Sequence, residues 1–221
     1  MEALVILGAA ACATVLVLGG FGGALWLGLR ALGARHRRLV ALPVRPIAEL
    51  VPGPARVKVR GRVVPLGDLV RDPLEAEPCV AYEFDVKAKS EPSGSGARRA
   101  WSWNRVAGAA QTGDFALDDG TGLVRIVGPV ALIGLREDPE TDDPRLHPFA
   151  RAQLPALREG ATLAGVRKLL RAGVEVRAVG RVAAEPDAPS SAYRDRAPRL
   201  RLVASEDGEV LVGDRDDWFG P

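Results

Sequence analysis

Val57-Lys58-Val59-Arg60-Gly61-Arg62-Val63 alternates apolar and charged side chains at the two-residue period of a strand with one buried face. The pattern returns at Val174-Glu175-Val176-Arg177-Ala178-Val179-Gly180-Arg181-Val182, and both runs end in Gly-Arg-Val. A glycine inside a strand marks a bulge or a sharp bend, which a closing sheet requires. Around these two runs lie further short strand signals. Residues 79–86 place Tyr82, Phe84 and Val86 on one face, and Trp101, Trp103 and Arg105 alternate with Ser102, Asn104 and Val106. Phe115 and Leu117 run into Asp118-Asp119-Gly120-Thr121-Gly122, whose turn residues predict a hairpin with the apolar run that follows. Leu200 and Leu202 are expected to pair with residues 210–212 about a turn at Asp207-Gly208. Many short strands with such punctuation predict a mainly β chain, built as an antiparallel barrel or sandwich of OB-like type.

The connections are read from their breakers. Residues 87–99 are polar, carry Ser93-Gly94-Ser95-Gly96 and predict a flexible hairpin loop. Residues 137–148 are acidic and contain proline, as a surface loop does. Residues 150–170 have the only helical look in this part of the chain, interrupted by Pro155 and Gly160, and predict a short helical insertion. Residues 39–54 hold Pro43, Pro46, Pro52 and Pro54 and read as extended chain.

The N-terminal stretch is of a different kind. No charged residue occurs from 3 to 29. As a helix this run would span roughly 40 Å at ~1.5 Å per residue, against a hydrocarbon core of about 30 Å. A secretory signal would open on Lys or Arg, whereas this sequence opens Met1-Glu2. An uncleaved transmembrane helix is therefore expected. Arg30, Arg35, Arg37 and Arg38 follow it directly, so the N-terminus is expected outside and the β domain in the cytoplasm, at the inner membrane. The same four arginines are candidates to meet anionic lipid headgroups. Gly19 and Gly23 form a ridge of small residues that predicts close helix contact and a homo-oligomer through this face. The expected organisation is an anchor at 1–30, a basic, proline-rich linker at 31–54, a β domain at 55–213 and an acidic-aromatic tail at 214–221.

Composition narrows the function. The chain has 221 residues, a formal net charge of +2 and five per cent aromatic residues. A near-neutral chain poor in aromatics is not expected to bind nucleic acid. Its two cysteines, Cys12 and Cys79, are separated by the membrane boundary and exclude a disulfide scaffold. No phosphate-binding loop, dinucleotide fingerprint or Gly-x-Ser-x-Gly elbow occurs. Asp118 and Asp119 are adjacent carboxylates, but their place before Gly-Thr-Gly favours a turn over acid–base work. Asp138, Glu140, Asp142 and Asp143 lack the spacing of a Ca²⁺ loop. Cys79 has no histidine placed for a dyad, and His147 precedes Pro148 in an expected loop facing solvent. No catalytic residue, cofactor or metal is expected. The candidate interaction patch is Trp101, Trp103 and Arg105, because Trp and Arg dominate interface hot spots. The same residues could instead close one end of the core. Trp218-Phe219, in a tail with Asp214, Asp216 and Asp217, is expected either to dock back on the domain or to engage a partner.

Several segments in this order resemble the GIDE domain family, the membrane-proximal domain of a mitochondrial E3 ubiquitin ligase and its prokaryotic relatives. They are Val59-Arg60-Gly61-Arg62-Val63, Pro78-Cys79-Val80-Ala81-Tyr82-Glu83, residues 101–106, Phe115-Ala116-Leu117-Asp118-Asp119-Gly120-Thr121-Gly122 and the strand at 173–180. The resemblance covers residues 46–182 and implies a membrane-tethered β domain with structural roles for Gly61, Pro78, Cys79, Tyr82, Asp119, Thr121 and Gly122. The family's ligases carry a RING, whose zinc sites need clustered Cys and His ligands. Here Cys12, Cys79, His36 and His147 are scattered, so ligase chemistry is not expected. What remains is an interaction or scaffold module with an unidentified protein partner, or else an OB-like ligand- or nucleic-acid-binding barrel, or a member of the ligase family by name only, lacking RING chemistry.

Overall fold

The computed structural model describes residues 39–90, 102–135, 138–141, 143–186, 200–205, 208–214 and 219. The chain divides into two compact units, residues 1–42 and Pro43–Phe219. The anchor expected at 1–30, with Gly19, Gly23, Arg30, Arg35, Arg37 and Arg38, lies outside the described residues. Among the described residues no helix is long and apolar enough to cross a membrane.

The second unit is mainly β. Its strands are β1 (Arg56–Pro65), β2 (Val70–Arg71), β3 (Pro78–Cys79), β4 (Ala81–Lys89), β5 (Trp103–Thr112), β6 (Phe115–Asp118), β7 (Leu123–Val127), β8 (Val130–Leu132), β9 (Asp138–Thr141), β10 (Leu163–Leu170), β11 (Glu175–Ala184), β12 (Leu200–Val203) and β13 (Val210–Gly213), with one α-helix, α1 (Leu146–Gln153). Strands β1, β6, β7, β12 and β11 follow one another in pairing order, and β1 also pairs with β11, so five strands close into a barrel. The two echoed runs are partners across this closure. Val57 faces Gly180, Val59 faces Ala178 and Gly61 faces Val176 in an antiparallel ladder. Closure leaves these five strands no open edge.

Alternation fills the barrel. Val59, Val63, Phe115, Leu117, Val124, Ile126, Val176, Ala178, Val182 and Leu202 are buried together in one apolar cluster. The two glycines of the echo are required by close approach. A Cβ on Gly61 would stand 3.0 Å from the Asp118 carbonyl oxygen, and one on Gly180 would stand 2.8 Å from both Leu202 Cγ and the Val203 carbonyl oxygen.

Two excursions from the barrel build a second sheet, ordered β5-β4-β10-β9. The β4–β5 pair lies between β1 and β6 in the chain, whereas β9, α1 and β10 lie between β8 and β11. Tyr82, Phe84 and Val86 do share a face, and they bury with Cys79, Ala107, Leu146, Ala150, Leu163 and Leu169 in a second core. Phe149 of α1 meets Phe84 edge to face at 5.1 Å. The chain changes core at a break in the predicted strand, since Val80 and Ala81 belong to the barrel cluster.

Four expectations about connections are corrected. The helix lies at Leu146–Gln153, and the last part of the segment expected to be helical, from Leu163 on, is the strand β10. Its inward positions are Leu163, Gly165, Arg167 and Leu169. Part of the expected acidic loop, Asp138–Thr141, is the strand β9, which pairs with β10 at the sheet edge. Strands β12 and β13 do not pair with each other. Both run antiparallel to β11 along one edge, and they lie parallel to β7 and β8 respectively. The proline-rich run after residue 43 is packed on the barrel rather than free: Ile47 and Leu50 enter its core.

Candidate functional site

The sharpest local chemistry surrounds the turn between β6 and β7. Asp118 Oδ1 accepts from the Gly120 amide at 2.8 Å. Asp119 Oδ1 accepts from the Thr121 amide (2.8 Å), the Thr121 hydroxyl (2.7 Å) and the Gly122 amide (3.0 Å). Its other oxygen accepts from the Ile47 amide at 2.7 Å. Thr121 Oγ1 also accepts from the Ala48 amide at 3.1 Å. Gly122 leaves room for Ile47, whose Cγ2 would stand 3.1 Å from an added Cβ. The turn thus holds residues 44–50 as a strap. Other ties are the Arg45 amide on the Lys58 carbonyl (2.9 Å) and the Gly53 amide on the Val182 carbonyl (3.0 Å).

Burial raises the Asp119 carboxyl, but the donors from Ile47, Thr121 and Gly122 outweigh it and hold the group below the ordinary carboxylate range. Asp72 behaves alike. Burial opposes ionisation, yet the amides of Glu75, Leu74 and Glu77 and the Arg167 charge lower its pKa. Arg167 also reaches Glu75 Oε2 at 2.5 Å, tying the 72–77 loop to β10. Both aspartates have depressed folded-state pKa values. Their stabilisation is therefore complete above the unfolded value of about 3.9 and is lost as pH falls through the lower folded values. The thermal midpoint should drop progressively below about pH 4, and D119N should show a shallower drop. Equal acid slopes for D119N and wild type in a circular-dichroism melting series would refute the assignment.

Beside the strap and the turn is an open cleft of about 780 Å³, lined among others by Arg45, Arg60, Gly61, Arg62, Asp118 and Glu175. Arg60 and Arg62 lie on the outer face of β1 because Val59, Gly61 and Val63 turn inward. Arg60 Nε meets Glu175 at 2.6 Å. Lys58, next along the same face, is fully buried and donates to the Phe219 carbonyl. Burial, aided by the Arg177 charge, lowers its pKa.

The remaining candidates are dispersed. Trp101 lies outside the described residues. Trp103, 44% exposed, and Arg105 stand on β5, the outermost strand of the second sheet, so these two do not close the barrel core. Arg105 pairs with Asp85 at 2.6 Å, and a register shift at Val86/Lys87 leaves Val106 unpaired in the ladder. Pro78 and Cys79 form β3, which pairs with β2 in a separate two-stranded sheet, while the Cys79 and Tyr82 side chains enter the second core. Burial, followed by the Asp72 and Glu77 charges, pushes the Cys79 thiol up to about 11, so it is no nucleophile near neutral pH. His147 is on α1 and half-buried, not in a loop facing solvent. Among the described residues no group of three His, Cys, Asp or Glu side chains is placed to hold a metal. The sequence reading missed Arg45, Arg62 and the strap. The signal was Ile47 and Leu50, two apolar residues inside a run of prolines. No known protein family, curated protein or solved structure matches the chain.

Proposed function

We propose that the protein is a membrane-anchored interaction module, with residues 1–30 in the inner membrane and the β domain in the cytoplasm engaging a protein partner without catalysing a reaction. The observation that carries this reading is Trp103. A large indole stays exposed at the end of an outermost strand, apart from both cores and next to Arg105. Such a residue costs solvation unless something covers it, and Trp–Arg pairs are what partner surfaces use. A GIDE-type assignment is compatible with the tethered β architecture, and the scattered Cys and His residues argue for a member without ligase chemistry.

The finer description as an OB-like barrel is supported by the order β1-β6-β7-β12-β11 and the return to β1, a five-stranded closure with one parallel pair. The face that such barrels use for oligonucleotides is formed by their second and third strands. Here these are β6 and β7, whose residues on the side away from the barrel core are Ala116, itself buried, and the partly exposed Asp118, Leu123, Arg125 and Val127. None is aromatic, and Arg125 is held by Asp114 at 2.8 Å and Glu185 at 3.2 Å. A face without stacking platforms favours the protein-partner reading.

The test is purification of the tagged full-length protein from detergent-solubilised membranes beside W103A. A stoichiometric partner is expected with the wild type. Its recovery should fall about tenfold or more in W103A at an unchanged melting midpoint, as for a hot-spot residue. Purification of the wild type alone, or undiminished recovery with W103A, would defeat the proposal.

A further inference from the structure

The cleft beside the strap carries charge that the fold does not use. It presents three guanidinium groups, Arg45 from the strap and Arg60 and Arg62 from β1, and three carboxylates, Asp118, Asp119 and Glu175. The charges balance in number, but Glu175 is taken by Arg60 and the Asp119 oxygens by the turn and the strap, so neither carboxylate is free to pair with Arg45 or Arg62. Glu175 is closed on Arg60 at 2.6 Å. Asp119 accepts four hydrogen bonds from the turn and the strap. Asp118 accepts from the Gly120 amide. In register, Arg62 lies between Glu175 of β11 and Asp118 of β6. Neither Arg62 nor Arg45 forms an ion pair among the described residues.

These two arginines come from different walls of one concavity. Arg45 is set by its own amide, which donates to the Lys58 carbonyl, and by the bridge of Val44 to Lys58. Arg62 is set by the alternation of β1. Guanidinium forks match the oxygens of a phosphate group, and a space of about 780 Å³ is that of a small-molecule site. We propose that this cleft binds a phosphate-bearing anion, with Arg45 and Arg62 as its ligands and Arg60, held by Glu175, as part of the rim. The phosphate can come from a free ion or from an anionic lipid headgroup.

The experiment uses the full-length protein in an uncharged detergent, titrated by calorimetry in separate arms. The probes are inorganic phosphate, dihexanoyl phosphatidic acid and, as a control, dihexanoyl phosphatidylcholine. Saturable binding of phosphate or of phosphatidic acid is expected. It should weaken at least about tenfold in the double variant Arg45→Gln/Arg62→Gln, since each charge-assisted bond lost is worth that order. Arg181→Gln, at the far end of the β1–β11 pairing, should bind as the wild type does. Binding of phosphate itself identifies a free-ion site, and binding of phosphatidic acid alone identifies a headgroup site. If the double variant melts early, the single variant Arg62→Gln is read instead, because it changes only an exposed position of β1. No saturable binding in either anionic arm overturns the proposal, and so does equal affinity in the variant.

Discussion

Replacing Asp119 by alanine should destabilise the β domain by about 3 kcal/mol or more, the largest effect of any single polar substitution in the barrel. Four donors lose their acceptor at once: the amides of Ile47, Thr121 and Gly122 and the Thr121 hydroxyl. Hydrogen bonds to an ionised acceptor are worth about 1.5–3 kcal/mol each, and donors left unmet in a part-buried turn add their desolvation cost. The loss also unfastens the strap, so Ile47 and Leu50 no longer seal the core. Asp118 is the internal control. It is the neighbouring residue with the same charge, but it makes one bond, to the Gly120 amide. D118A should cost about 1 kcal/mol or less. Urea denaturation of the full-length protein, followed by far-UV circular dichroism, separates the two. Similar midpoints for D118A and D119A would mean that the turn does not hold the strap.

This contrast shows what was legible in the sequence. Asp-Asp-Gly-Thr-Gly announces a turn by its residue types, because aspartate accepts from amides two and three residues on and glycine tolerates positive φ. Gly120 does take φ +83°. Which aspartate reaches across 72 residues to Ile47 is a matter of tertiary register, and no local pattern encodes it. The echo of Gly-Arg-Val was readable for the converse reason. Two strands of one closed sheet meet the same constraint, a backbone approach that excludes Cβ, and so carry the same residue.

Strand β10 was misread because two of its inward positions are not apolar. Gly165 stands where Phe84 and Leu146 leave no room, since a Cβ there would come within 3.1 Å of both. Arg167 turns inward to meet Glu75. With those two removed from the alternation, and alanine common in the chain, the helical period looked better than the strand period. The terminal strands were misread through the strength of a local cue. Asp207-Gly208 has the composition of a hairpin turn, yet β12 and β13 each prefer the long edge of β11. There they serve as successive halves of one interrupted strand. In the cleft the arginines were visible as residues, but that Arg45 and Arg62 form no ion pair among the described residues depends on where Glu175 and Asp119 find their partners, and that is settled only by the fold.

Phe219→Ala should cost about 3–5 kcal/mol, as large as the loss of a central core aromatic, although the residue lies beyond the last strand. Its side chain is wholly buried. An added Cβ on Gly213 would come 2.7 Å from Phe219 Cε2, so the ring rests against the end of β13, where only glycine gives it space. The Phe219 carbonyl accepts from Lys58, which is buried on the outer face of β1. One residue thus joins the C-terminal end of the chain to β1 through an apolar and a polar contact. Its loss opens a cavity and removes the cover over Lys58, whose ammonium is already disfavoured by burial. The measurement is the urea midpoint of F219A, set beside F219L, which restores most of the volume and should recover most of the stability. If F219A unfolds with the wild type, the tail does not dock on the domain. Phe219 would then be free to engage a partner.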